Sequence, residues 1–335
     1  MNNILVTGAA GFIGFHLVSL LLRDSENNIV ALDNINDYYD TSLKHSRLRQ
    51  LGVKYEHNVW TSSVSNLKFI HSDLSEKDRL ANLIRENKIN YVVHLAAQAG
   101  VRYSLENPDS YVQSNLVEFV NLCECVKEAD IKHFIFASSS SVYGVNNEVP
   151  YRETDDTSKP ISLYGASKKA NEVIAHSYAQ LYGVTTTALR FFTVYGEWGR
   201  PDMAYFSFSN LITQGMPINI FNNGKLSRDF TYISDIVKSI KLLLQKRAVA
   251  EEQNPFEIFN IGNSSPVQLM DFIATLEDAL GQKAEKIYKE MQDGDVYHTY
   301  ADTTKLQDYI GFTPEVPLKE GIKNFAEWYK SYYNV

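Results

Sequence analysis

Five short runs of apolar, β-rich residues mark the first half of the chain, at 4–7, 28–32, 69–74, 91–97 and 134–137. Each reads as a strand buried on both faces. Stretches with helical spacing separate them, clearest at 16–22, 112–126 and 167–181. Strand alternating with helix predicts a parallel, doubly wound α/β sheet that takes ligands at the carboxyl ends of its strands. After about residue 190 the alternation breaks down, as for a smaller mixed α/β domain. The final helical stretch, from 318 on, is amphipathic and aromatic-rich and reads as core.

The turn after the first strand sharpens this picture. Gly8-Ala9-Ala10-Gly11-Phe12-Ile13-Gly14 stands between that strand and a helix, the context in which a glycine spacing signals dinucleotide binding. Gly8 permits the tight turn and Gly11 lets backbone approach a pyrophosphate. Gly14 allows close helix–strand packing. Phe12 and Ile13 open the helix, whose amino terminus offers N–H donors to phosphates. Asp33 ends the second strand, roughly 20 residues past the last glycine, where a carboxylate accepts ribose hydroxyls and repels a 2′-phosphate. That favours NAD over NADP. Arg47 and Arg49 lie on the next helical stretch and read as a solvated face. Asp73 ends the third strand, in reach of an adenine amino group. Asn34 and Leu74 adjoin these two carboxylates and are grouped with them. Leu95, Ala96 and Ala97 end the fourth strand, with small residues where a cofactor must pass closely; His94 before them reads as core.

Composition narrows the function classes. The chain has 335 residues, 44% of them hydrophobic, and a net charge of −8. That balance argues against a nucleic-acid surface and for plain solubility. Cys123 and Cys125 face different ways on a helix and read as buried thiols, too few for a metal site. Reduced cysteines suit the cytoplasm. Met1-Asn2-Asn3 leads straight into a strand, without a signal peptide, and no apolar run approaches a membrane span.

The candidate chemistry centres on Tyr164-Gly165-Ala166-Ser167-Lys168, with the run Ser138-Ser139-Ser140-Ser141 ahead of it. Four residues apart on a helix, Tyr164 and Lys168 share a face. A phenol titrates near ~10, and a cation beside it stabilises the phenolate. The pair is therefore a plausible proton-transfer group near neutral pH.

Together these residues resemble the extended short-chain dehydrogenase/reductase family, and more narrowly its nucleotide-sugar epimerases. The matching pieces run from Thr7-Gly8 to Gly14, through His94-Leu95-Ala96-Ala97, Ser139 with Val142-Tyr143-Gly144, and Tyr164 with Lys168, to Arg228-Asp229-Phe230-Thr231-Tyr232 and Gly294-Asp295-Val296. The resemblance implies a Rossmann-type NAD-binding domain over 1–190, with segments near 231–262 rejoining it, and a UDP-sugar-binding domain over 191–335. It implies Tyr164 as acid/base, Lys168 on the nicotinamide ribose, and Ser139 bonded to the hydroxyl of the reacting carbon. The implied reaction removes proton and hydride at C4, with the hydride going to NAD, and returns both to the other face of the 4-keto sugar. NAD should stay bound throughout. It also implies a homodimer, with the helices at 112–126 and 167–181 pairing across it, although packing within one domain would use the same faces.

Relatives that eliminate water or carbon dioxide carry an acid just before the Val-Tyr-Gly; this chain has Ser140 and Ser141. That favours epimerisation. The stretches 33–44, 97–102 and 190–203 resemble UDP-glucuronate 4-epimerases, although those enzymes usually have proline where this chain has Glu197. Arg200 is a forked donor suited to a uronate carboxylate, or a surface arginine in a loop. Ser140, Ser141 and Thr193 add hydroxyls. Phe221 lies against the uracil or is ordinary core. Arg228 aligns with the arginine on the UDP phosphates, and Gln292 and Asp295 with contacts to the uridine. A UDP-glucose/galactose or UDP-N-acetylhexosamine 4-epimerase is the alternative, and a non-catalytic NAD-responsive protein a third reading. The family implies a role in surface-polysaccharide synthesis.

Overall fold

The computed structural model describes residues 2–144, 148–246, 254–291 and 297–335. In chain order the elements begin with β1 (Asn2–Thr7), α1 (Phe12–Leu21), β2 (Asn27–Asp33), α2 (Thr41–Gln50), β3 (Val53–Glu56), β4 (Val59–Ser62), β5 (Leu67–His71), α3 (Lys77–Glu86) and β6 (Tyr91–His94). Then come α4 (Tyr103–Glu106), α5 (Pro108–Tyr111), a π-helical turn (Val112–Val117), α6 (Glu118–Lys127), β7 (His133–Ser139), a 3₁₀ turn (Ser140–Tyr143), α7 (Leu163–Tyr182) and β8 (Thr186–Phe191). The remainder is β9 (Thr193–Tyr195), α8 (Ala204–Thr213), β10 (Ile218–Ile220), β11 (Ser227–Tyr232), α9 (Ile233–Lys246), β12 (Phe256–Ile261), β13 (Pro266–Gln268), α10 (Leu269–Leu280), β14 (Lys286–Tyr288), β15 (His298–Thr299), α11 (Thr304–Ile310) and α12 (Leu318–Tyr333).

The chain divides into two compact units. One comprises 1–144, 156–190 and 237–259, the other 145–155, 191–236 and 260–335. The first is built on a seven-stranded sheet of order β12-β8-β7-β6-β1-β2-β5. Parallel registers link β5 to β2, β2 to β1, β1 to β6 and β6 to β7. The doubly wound α/β sheet expected from the alternation is thus the observed fold. Strand order reverses between β1 and β6, which opens the ligand crevice at their carboxyl ends. The core is apolar on both sheet faces. Leu5, Val92 and Phe136 are fully buried, with Phe119 and Leu122 of α6 and Ala179 of α7 against them. Both cysteines are buried there.

Three features depart from the sequence reading. The stretch 112–126 is not one regular helix: its first part is a π turn centred on Asn115. Asn115 Nδ2 donates to Gln98 O at 2.9 Å and to Ser167 Oγ at 3.0 Å, and its Oδ1 accepts from Gln98 N. A wider turn carries the buried amide to these partners. A hairpin, β3 paired antiparallel with β4, follows α2. Its turn places His57 and Asn58 at positive φ, a tight hairpin without glycine. Arg47 is not on a solvated face. It is completely buried, whereas Arg49 beside it is exposed as expected.

In the second unit β11 is central, paired with β9, β13 and β15. Helix α12 buries Ile322, Phe325, Ala326 and Tyr329 as one stripe, as the amphipathic pattern predicts. Phe230 stacks on Phe272 at 4.4 Å, and the rings of Phe206, Phe325 and Trp328 pack together.

Candidate active site

The glycine turn shows why each glycine is there. Gly8 has φ +70°, and a Cβ on it would lie 2.7 Å from Ala96 N. A Cβ on Gly14 would lie 2.1 Å from Gly8 O. The turn therefore presses against the 95–97 segment on one side and against α1 on the other. Gly11 caps α1 without a side-chain bond, and the first turn of α1 holds no acid. Unclaimed N–H donors and a positive dipole end make this an anion site. Asp33, 6% exposed, accepts from Ala10 N at 2.9 Å and Ile35 N at 2.8 Å. Asn34 Nδ2 donates to Asp73 Oδ2 at 2.9 Å. Burial pushes the Asp73 carboxyl up, but bonds from Asn34 and Ser75 outweigh it and hold it below the usual value. Leu74 is buried beside it. Burial and the Asp73 charge raise Glu118 to about 7. These residues fit a dinucleotide: a cradle closed to any Cβ, an anion site, and a buried carboxylate about 20 residues on. His94 is a core residue as read. Its Nδ1 shares a 2.8 Å hydrogen bond with Thr7 Oγ1, and burial, then Lys168, lowers it to about 3, so the ring is neutral.

Tyr164 and Lys168 occupy the first turns of α7. The helix is capped by Ser162 Oγ accepting from Gly165 N at 3.0 Å, and it ends at Gly183 in the left-handed region. A Cβ on Gly165 would lie 2.5 Å from Ser141 O. Glycine at this position thus lets the start of α7 sit on the serine turn. Ser139 Oγ accepts from Ser141 N at 3.1 Å, which leaves its hydroxyl proton to donate elsewhere. Ser140 and Ser141 are half-buried in the 3₁₀ turn. Tyr164 packs edge-on against Tyr111 at 6.1 Å. Lys168 Nζ donates to Ala137 O at 2.9 Å, so the ammonium is anchored to β7 one helical turn from the phenol.

Lys168 is 2% exposed, and burial lowers it from 10.5 to about 7. The sign follows from linkage. Between about 7 and 10.5 the unfolded chain binds a proton at Lys168 that the folded chain lacks. Its contribution to stability therefore rises with pH across that window and is least below it. Urea unfolding of the cofactor-free chain at about pH 7 and about pH 9 should show this rise, and Lys168→Met should flatten it. An equal rise in the variant would contradict the assignment.

A second cluster went unread in the sequence. Glu172, on the same face of α7 as Tyr164 and Lys168, accepts from Ser138 Oγ at 2.7 Å. It forms a two-pronged pair with Arg190, Nε to Oε1 at 2.8 Å and Nη2 to Oε2 at 2.9 Å. Arg190 Nη1 also donates to Tyr143 Oη at 3.0 Å. Glu172 and Arg190 are 2% and 1% exposed. Burial pushes the Glu172 carboxyl up, but the bonds and charge of Arg190 prevail and hold it low. The cluster ties α7, β7, β8 and the serine turn together. Its signal was available: an arginine inside an apolar strand requires a buried partner.

In the second unit Thr193 opens β9, in register with Phe230 of β11. Arg228 lies two residues earlier on β11, its Nη1 donating to Ser227 O at 2.9 Å and Tyr297 O at 3.3 Å. Phe221 is half-buried at the start of a short 3₁₀ turn. Arg200 pairs with Asp202 through Nε to Oδ1 at 3.0 Å and Nη2 to Oδ2 at 2.5 Å. Glu197 accepts from Tyr232 Oη at 2.7 and 2.6 Å. Gln292 and Asp295 lie outside the described residues. No group of three or more possible metal ligands occurs among the described residues.

A family model described as the NAD dependent epimerase/dehydratase family matches residues 4–262. A probable UDP-glucuronate 4-epimerase of Rhizobium meliloti (strain 1021) is 44% identical over 342 residues, covering 98% of this chain and 97% of that protein. UDP-glucuronate 4-epimerase 3 of Arabidopsis thaliana is 45% identical over 348 residues, covering 99% and 77%. The solved structure of UDP-glucuronic acid 4-epimerase from Bacillus cereus, in complex with UDP-glucuronic acid and NAD, superposes with a TM-score of 0.88 at 32% identity, covering 99% of this chain and 100% of that one.

Proposed function

Since the chain belongs to the NAD dependent epimerase/dehydratase family, we propose that it interconverts UDP-glucuronate and UDP-galacturonate by inverting C4. The observation that carries this reading is the seat of Tyr164 and Lys168 on α7, set directly on the Ser139–Ser141 turn. When bound, NAD supplies reversible hydride chemistry at the sugar carbon; Gly8, Gly11, Phe12, Ile13, Gly14, Asp33, Asn34, Asp73, Leu74, Leu95, Ala96, Ala97, Tyr164 and Lys168 would hold it. Tyr164 takes the C4 hydroxyl proton and gives it back. Lys168, whose amine burial brings to about 7, takes up its proton as the phenolate forms and sets a cation beside it. Ser139 donates to the C4 oxygen. Ser140 and Ser141 offer hydroxyls and no carboxylic proton, so the acid needed for elimination is missing at this turn.

The second unit supplies the UDP-sugar contacts in this reading: Thr193 and Arg200 at the sugar, and Phe221, Arg228, Gln292 and Asp295 along the UDP. Glu197, where relatives usually have proline, has its carboxylate bonded by Tyr232. Exposed Val112 and Val117 on the π turn, and Val173, Leu181 and Tyr182 on α7, support a homodimer. Two free, buried thiols support a cytoplasmic location. Among the described residues no helix is long and apolar enough to cross a membrane. The product would feed surface-polysaccharide synthesis.

One observation favours a neutral sugar instead, UDP-glucose/galactose or a UDP-N-acetylhexosamine. The Arg200 fork already faces Asp202, and a neutral sugar would not compete for it. Arg200→His discriminates. On the uronate reading it should lower kcat/KM for UDP-glucuronate by roughly 10–100-fold, the worth of a charged hydrogen bond. It should also release a UDP-pentose, because a 4-keto uronate whose carboxylate is not held aligns for loss of carbon dioxide. Wild-type rates on the uronate would remove Arg200 from the site.

A further inference from the structure

The peptide unit of Ala10, inside the glycine turn, is gripped at both ends by side chains from one segment. Its N–H donates to Asp33 Oδ2 at 2.9 Å. Its carbonyl accepts from Arg47 Nη1 at 2.9 Å. Arg47 is completely buried, and the same Nη1 donates to Tyr39 Oη at 2.7 Å, with the guanidinium 5.6 Å from the Tyr39 ring centre. The segment between these two grips is itself fixed. Ile35 turns back at φ +50° and donates to the other oxygen of Asp33. Lys44 Nζ donates to the carbonyl and side chain of Asn36, both at 2.8 Å, and lies 5.2 Å from the Tyr39 ring centre.

A buried guanidinium costs several kcal/mol of desolvation unless its surroundings repay it. Its bonds to the Ala10 carbonyl and the Tyr39 hydroxyl join α2 to the glycine turn and to the segment between them. The charged bond fixes the glycine turn, whose N–H groups would face a cofactor diphosphate. It also adds positive potential to the uncapped amino terminus of α1. A turn held in its binding shape without ligand has no ordering cost to meet on binding, and that lowers the release rate.

We propose that Arg47, oriented by Tyr39, is a positioning residue for cofactor retention: it holds the glycine turn in its diphosphate-binding shape and so slows the loss of NAD. The inference rests on the dinucleotide reading of the turn and is independent of which UDP-sugar reacts. It accounts for the retained cofactor that C4 inversion needs, because a cofactor lost between the two halves of turnover would strand the sugar as a ketone.

The test uses purified protein loaded with NAD and no sugar. Gel filtration at timed intervals, with NAD counted by chromatography, gives the release rate. Arg47→Met should release NAD about tenfold faster or more, the size of one well-placed charged hydrogen bond. Tyr39→Phe, which removes only the hydroxyl beside Arg47, should release it severalfold faster. It should also leave the urea midpoint of the cofactor-free chain at the wild-type value, so the result stands even if Arg47→Met fails to fold. Wild-type release from Tyr39→Phe would overturn the proposal, as would faster release matched by an equal fall in that midpoint. A wild-type chain that never retains NAD would overturn the dinucleotide reading itself, and that outcome is visible before any variant is made.

Discussion

Tyr164→Phe is expected to lower kcat for C4 inversion by roughly 10²–10⁴-fold, the contribution of a positioned acid/base. KM and fold should change little. The phenylalanine ring keeps the edge-on contact with Tyr111, and the α7 cap at Ser162 is untouched. Only the hydroxyl is lost. Lys168 remains anchored on Ala137 O, so a drop in rate cannot be traced to a displaced lysine. Lys168 is buried with a carbonyl as its acceptor, and a positive charge there is best repaid by a negative one on the phenol one helical turn away. Bonded UDP-sugar should still shift the melting temperature of the variant as it does in the wild type. A variant that turns over at more than a tenth of the wild-type rate would contradict the assignment.

Glu172→Ala carries the largest expected loss of stability, about 3–5 kcal/mol, because it leaves the Arg190 charge buried and unpaired. It also removes the acceptor for Ser138 Oγ. The double variant Glu172→Ala with Arg190→Met should recover part of that loss, since the orphaned charge goes with it. Urea unfolding of the three proteins measures the coupling. A single variant within about 1 kcal/mol of wild type would mean that the pair does not tie α7 to β8.

The glycine turn, Asp33 and the Tyr164–Lys168 pair were legible in the sequence because each is local. A strand, three glycines and a helix follow one another directly, and a four-residue spacing fixes a helical face. The family resemblance built on these motifs agrees with the family model and the curated relatives. What stayed hidden depends on distant partners. Arg47 reads as solvated because its helix is polar; the Ala10 carbonyl, 37 residues earlier, and the Tyr39 hydroxyl meet it in the folded chain. Glu172 and Arg190 sit on different elements, and no local spacing pairs them. The π turn at Asn115 answers to Gln98 and Ser167 rather than to its own neighbours. The hairpin at 53–62 lacks the glycine that usually signals a tight turn. The second unit takes three separate pieces of chain, including 145–155, and a reading by contiguous segments cannot see that assembly.

Proton NMR of the purified wild-type protein with UDP-glucuronate bears most directly on the central claim. The expected result is conversion to a mixture of UDP-glucuronate and UDP-galacturonate without added reductant, and none with Tyr164→Phe. An unchanged UDP-glucuronate spectrum, alongside inversion of UDP-glucose or UDP-N-acetylglucosamine, would contradict it.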